Sequence, residues 1–299
     1  VGPRVSPRLL ATVTGMPAAQ LQGRLWSLEI LDFLSEAQPD YLFAHDLVRE
    51  VAYDSILRSQ REVLHRRILT ALEASGANAE DIAESLCHHA ARAQEWGKAD
   101  RYGHLAARKA SARSAFRDAT EYFQIAIDAV DRQPESTLRE QRAIDLRIEA
   151  RLAFLSLGSI EEWFKLGRDG EGRAEKIGDE QRRLASIVIR AAALNFYGTP
   201  YEALSTGEEA VALATHLNNS SWLVLAEYGL GQSHFLAGRF RESERWLGQA
   251  SERLKKAPEN VPPGTTGLSL LVLCQMMRAI SCAWLGEFDE AERCSVTAD

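Results

Sequence analysis

The side chains of this sequence that could carry chemistry are few, and their spacing decides most of them. Cys87-His88-His89 sets three metal-ligating types side by side. Neighbouring residues on a helix point about 100° apart, so a helical zinc site draws on partners four residues further along. Those positions hold Ala91, Arg92 and Ala93, none of which can ligate, and no metal is expected. Gly167-Arg-Asp-Gly170-Glu-Gly172 is glycine-rich, but it lacks the GxxxxGK[ST] spacing and the lysine that cradle a triphosphate. It reads as a turn. The acidic doublets Glu161-Glu162, Asp179-Glu180 and Asp289-Glu290 stand where helices should start. Carboxylates there favour the positive end of the helix dipole and need no catalytic role. Arg58, Arg61, Arg66 and Arg67 interleave with Glu50, Asp54 and Glu62, the pattern of a charged, internally paired face. Trp222 and Trp246 read as core aromatics. The chain is therefore expected to hold no catalytic residue and no cofactor.

The elements that would position these residues are helices. Arg, Glu, Ala and Leu dominate, and alternating Val/Ile/Thr runs are missing apart from one candidate strand at Asp40–His45. The 299 residues are 45% hydrophobic and 26% charged with a net charge of −7, so a strong nucleic-acid binder is not expected. Cys87, Cys274, Cys282 and Cys294 form no CxxC pair and read as free buried thiols of a reducing, cytoplasmic setting. The longest apolar run, Leu268 to Met277, falls short of the roughly 20 residues that cross a bilayer. The sequence starts at Val1 and ends inside a helical pattern, and it reads as part of something longer.

Internal repetition is the informative signal. Gly158, Gly198, Gly238 and Gly286 are spaced by 40, 40 and 48 residues. The last interval carries eight extra residues around Pro262-Pro263-Gly264. After each glycine comes a bulky residue (Ile160, Tyr201, Phe240, Phe288), then Ala203, Ser243 or Ala291 at the fifth position, with Trp163 the exception. The glycine suits a left-handed helix end. The bulky residue should pack the next helix onto the first, and the small residue lets two helix backbones approach. Trp96/Ala99 and Phe116/Ala119 keep the aromatic-to-small spacing, so a helix near 98–112 should serve two pairs. Hairpins apolar on both broad faces bury them by stacking into a solenoid.

Leu230-Gly231, His234, Gly238, Phe240, Ser243, Leu247 and Ala250 together resemble a tetratricopeptide repeat, in a variant longer than the usual period of about 34 residues. The 158–175 unit departs furthest, with Trp163 and Gly167 in place of a small and an aromatic residue, and regular geometry is not expected there. Tyr41 to Leu57, with Arg61 and Leu64-His-Arg-Arg-Ile68, resembles the junction between a winged helix and tetratricopeptide repeats in bacterial STAND-type signalling ATPases. Leu86–Ala90, Ala99–Ala110 and Trp284–Ala291 are similar to the same family.

The resemblance implies an all-α, tetratricopeptide-like α-α superhelix (residues 136–299, the last repeat cut short). First helices of that type would span 78–135, and a small winged-helix-like module would span 1–70. It implies an ATPase module upstream, linked in some relatives to a class III nucleotidyl cyclase and in others to a LuxR-type DNA-binding domain. His45 then becomes a candidate nucleotide sensor for that module. The function implied is regulatory: a protein or peptide binds the concave face and biases the upstream switch, with no membrane partner. The alternative is a passive scaffold for complex assembly.

Overall fold

The computed structural model describes residues 4–296. The chain forms two compact units, Val1–Ser114 with Glu121–Gln133, and Ala115–Thr120 with Pro134–Asp299.

The first unit opens with β1 (Arg4–Val5), α1 (Pro7–Thr14), α2 (Ala18–Ile30), β2 (Leu34–Ala37), β3 (Asp40–Phe43) and α3 (Asp46–Asp54). The strands form an antiparallel sheet in the order β1-β3-β2, with Leu42 opposite both Arg4 and Ser35. Ser6 caps α1 by accepting from the Leu9 N–H, and Pro7 stands in the first turn, where its missing N–H costs nothing. Val5, Leu21, Leu25, Leu34 and Tyr41 make a small core between sheet and helices. This arrangement is compatible with a winged-helix-like module. It is followed by α4 (Arg58–Glu73), α5 (Ala83–Arg92), α6 (Trp96–Ala112) and part of α7 (Phe116–Asp131). As the aromatic-to-small spacing predicts, α6 serves two partners. Tyr102 and Ala99 pack with Leu86 of α5, and a Cβ at Gly103 would stand 3.2 Å from Ala126 of α7.

The second unit is built from α8 (Thr137–Leu157), α9 (Ile160–Ile177), α10 (Glu180–Tyr197), α11 (Pro200–His216), α12 (Ser220–Leu236), α13 (Phe240–Lys256), α14 (Gly267–Trp284) and α15 (Phe288–Val296). Each packs against the next, and α10 also touches α8 and α12. The glycine pattern holds at Gly158, Gly238 and Gly286, with φ between +72° and +78°. Gly198 departs, with φ −95° and ψ −170°. Thr199 and Glu202 close a capping box there and Pro200 fixes the first turn of α11, so the chain enters extended.

Of the small positions, Ala203, Ser243 and Ala250 are buried and Ala291 is half-buried. A Cβ on Gly231 would come within 2.7 Å of Leu247, which makes it a contact point of α12 with α13. The bulky positions are less uniform. Phe240 stacks on Trp284 with ring centroids 5.6 Å apart. Tyr201 and Phe288 are instead more than 70% exposed. Phe240 finds its platform on the following pair, and among the described residues no helix beyond α15 offers one to Phe288.

Two further expectations need correction. Gly167–Gly172 is no turn: it lies inside the regular helix α9. Trp163, Leu166, Gly167, Gly170 and Ala174 share the buried face of α9. A Cβ on Gly167 would stand 2.6 Å from the Arg190 backbone nitrogen. Bulk and space have traded places along this face, since Trp163 fills the small position and Gly167 opens the large one. Packing thus overrides the low helix propensity of glycine. The apolar run at 268–277 continues to Trp284, and α14 is long and apolar enough to cross a bilayer. One side of α14 packs Leu270, Cys274 and Met277 against α13. Leu268, Val272, Met276 and Ile280 form an exposed row on the other, which explains its overall apolarity.

Candidate functional site

In the first unit, helix pairing brings three histidines together. His65 comes from α4, and His88 and His89 come from α5. The Nδ1 atoms of His65 and His89 stand 2.8 Å apart, and the Tyr53 hydroxyl lies 2.9 Å from His65 Nε2. The His88 ring meets the His65 ring edge-on. His65 and His89 are buried and His88 is exposed. Burial pushes His65 down to about 4 and His89 to about 3. Both rings are neutral at pH 7, and one must carry its proton on Nδ1 to bridge the pair. Cys87 turns away into the apolar core with Leu69 and Leu86, and burial lifts its thiol to about 12.

His65 also lines a cavity of about 500 Å³ with Tyr53, Arg58, Arg61, Arg92, Trp96 and Arg132. Of the four basic residues singled out in the sequence, Arg61 and Arg66 are paired within the chain, and Arg58 and Arg67 are exposed. Arg61 donates to Asp54 (3.1 Å) and lies over the Tyr53 ring, and Arg66 donates to Glu62 and Glu95. His45 lies elsewhere. It is the exposed N-cap of α3, and its side chain makes no capping hydrogen bond.

In the second unit, Arg151 of α8 is buried, and its guanidinium lies 5.5 Å from the Trp222 ring centroid. Its Nη2 donates to the Pro263 carbonyl (2.5 Å) and the Thr265 hydroxyl (3.3 Å), while Nη1 donates to the Ile148 carbonyl. Burial lowers the guanidinium to about 10, so it stays charged at neutral pH. Gly264 sits against Leu152, with φ +80° in a turn that closes from Thr265 N–H to the Pro262 carbonyl. The eight extra residues of the long repeat therefore reach back across the array and dock on α8. We expect Arg151→Met to lose about 2 kcal/mol, the worth of charge-assisted hydrogen bonds, and to speed amide exchange across 258–266. Unchanged exchange in that segment would contradict this assignment.

The repeat-defining residues were readable because they act locally. His65 was not picked out as a partner of His88 and His89, because the two helices have no fixed sequence register. The only cue was the Leu64-His65-Arg66 string already set aside for its resemblance. Trp222 is buried in the core as predicted, and Trp246 is half-buried under Arg245. All four cysteines are free and buried.

No family model matches the chain. An uncharacterized protein of Rhizobium meliloti (strain 1021) is 36% identical over 121 residues, which is 40% of this chain and 11% of that protein. The chain thus spans about a tenth of the length of the curated relative it matches. A Rap protein complexed with competence and sporulation factor aligns over 81% of this chain and 71% of its own, at 13% identity and a TM-score of 0.56. A kinesin light chain of Podosopora anserina with nearly identical TPR-like repeats aligns over 66% of this chain and 92% of its own, at 19% identity and a TM-score of 0.51. The fold is a tetratricopeptide-like helical repeat.

Proposed function

We propose that this chain is a regulatory protein-interaction segment of a larger signalling ATPase. In this reading the repeat array binds a protein or peptide on the surface formed by α8, α10, α12 and α14. The observation that carries the reading is the grip of α8 on residues 258–266. A proline-containing stretch that turns at Pro262–Thr265 is already held there by a buried guanidinium on a backbone carbonyl, with an apolar contact beside it. The same chemistry suits a peptide segment of another protein, since main-chain groups supply affinity and side-chain pockets supply selectivity. The Rap protein of like fold was solved in complex with competence and sporulation factor, which supports the ligand class. Binding would regulate only through different affinities for two states of the upstream ATPase. The test compares ATP turnover of the full-length protein with and without residues 78–299 in the presence of candidate effectors. An effector-dependent difference is expected. Equal turnover under every effector would leave the passive scaffold as the better reading, as would helix exchange that nucleotide leaves unchanged.

A further inference from the structure

We propose that His65, His88 and His89 form a binding site for a divalent transition-metal ion of the zinc type. One ligand nitrogen from each ring lies within 4.8 Å of the others. The ring centroids are 5.0 Å apart for His65 and His89, 5.2 Å for His88 and His89, and 5.6 Å for His65 and His88. Three imidazoles bound tetrahedrally through bonds of about 2.0 Å would hold their centroids about 5 Å apart. The triangle of ring centroids therefore has the dimensions of a three-histidine site, and the ligand nitrogens, spread over up to 4.8 Å, would draw to a common spacing on binding. The two Nδ1 atoms at 2.8 Å would need to part to about 3.3 Å, the nitrogen spacing of such a tetrahedron. Opening them by half an ångström takes only a small change of side-chain torsions.

The surroundings match what such a ligand set requires. His65 Nε2–H can donate to the Tyr53 hydroxyl, which leaves its Nδ1 lone pair pointing at the centre. An outer hydrogen bond of this kind fixes tautomer and ring orientation in metal sites. Neutral imidazoles without a carboxylate favour zinc, copper or nickel over magnesium or calcium. His88, exposed, gives the ion an entry path, and the fourth position is left to water. One ligand on α4 and two on α5 would make the ion a clip between consecutive helices.

The test uses the tag-free full chain, stripped with a chelator and titrated with zinc chloride, with cobalt(II) as the spectroscopic probe. One zinc per chain and visible cobalt bands of four-coordinate intensity are expected. His88→Ala removes an exposed ligand without emptying the core. It should weaken binding more than about 100-fold, beyond the 10- to 100-fold typical of outer partners. Tyr53→Phe should weaken binding roughly tenfold. His65→Asn should abolish it, and circular dichroism would show whether that chain still folds. The proposal is overturned if the wild-type chain binds no stoichiometric ion, or if His88→Ala binds zinc as the wild type does.

Discussion

Gly167→Ala should lower the melting temperature of the helical array by about 5 °C, while Gly172→Ala, five residues along the same helix, should raise it. Both replacements put alanine for glycine inside α9, and in an isolated helix each would gain about 1 kcal/mol. Their surroundings reverse one of them. An added Cβ at Gly167 would lie 2.6 Å from the Arg190 nitrogen and 2.9 Å from its Cα. These are backbone atoms of α10, so no side chain can turn aside and the helices must separate. Separation would disturb the Trp163–Phe196 and Phe164–Tyr197 contacts and the Arg190–Glu171 ion pair. Overpacking of this kind costs about 1–3 kcal/mol or more, enough to outweigh the helix gain. At Gly172 nothing lies within 4 Å of the new Cβ, so the propensity gain stands alone. Each kcal/mol is worth about 2–4 °C in a unit of this size. Thermal melts of the two variants beside the wild type decide the matter. A Gly167→Ala chain as stable as the wild type would mean that α9 and α10 do not cross so closely.

This pair of glycines also shows how far the sequence could be read. Gly158, Gly238 and Gly286 were legible because a left-handed helix end is a local requirement, met by the residue itself. Gly167 has the same composition signal as a turn, and only the presence of α10 against it makes it a helix residue. The same limit applies wherever a helix is covered on several sides. In α10 six consecutive residues, Leu184 to Ile189, are buried, so no clean apolar stripe marks one face. The candidate site follows suit. His88 and His89 stand out in the sequence, but the ring that completes them comes from α4 through tertiary packing. Arg151 gives no sequence cue at all, because its partner carbonyl at Pro263 lies 112 residues away.

The histidine pair makes the first unit sensitive to acid, and the metal-free chain should lose about 4 kcal/mol of stability between pH 7.5 and pH 5. When folded, His65 resists protonation down to about 4 and His89 to about 3, mainly because both are buried. In the unfolded chain both protonate near 6.5. Between those values the unfolded state binds more protons, so stability is complete above about 6.5 and drains as pH falls toward 4. The integral to pH 5 is about 2 kcal/mol for each ring. Among the described residues nothing around the pair rescues the charged form. Tyr53 offers only its hydroxyl, the nearby His88, Arg92 and Arg61 add repulsion that further disfavours a charged His65, and Arg61 lies over the Tyr53 ring. Glu62, the acidic neighbour on α4, is engaged by Arg66 and Gln94. Protonating both rings would also set two donors face to face at 2.8 Å, which removes the bridge itself. The measurement is amide exchange of the α4 and α5 segments at pH 7.5 and 5, with a chelator present. Protection should collapse at the lower pH in the wild type, and the double variant His65→Gln, His89→Gln should show a much flatter dependence. Equal protection of the wild type at both values would mean that the two rings already take up protons in the folded chain, and that the bridge between α4 and α5 does not hold them neutral.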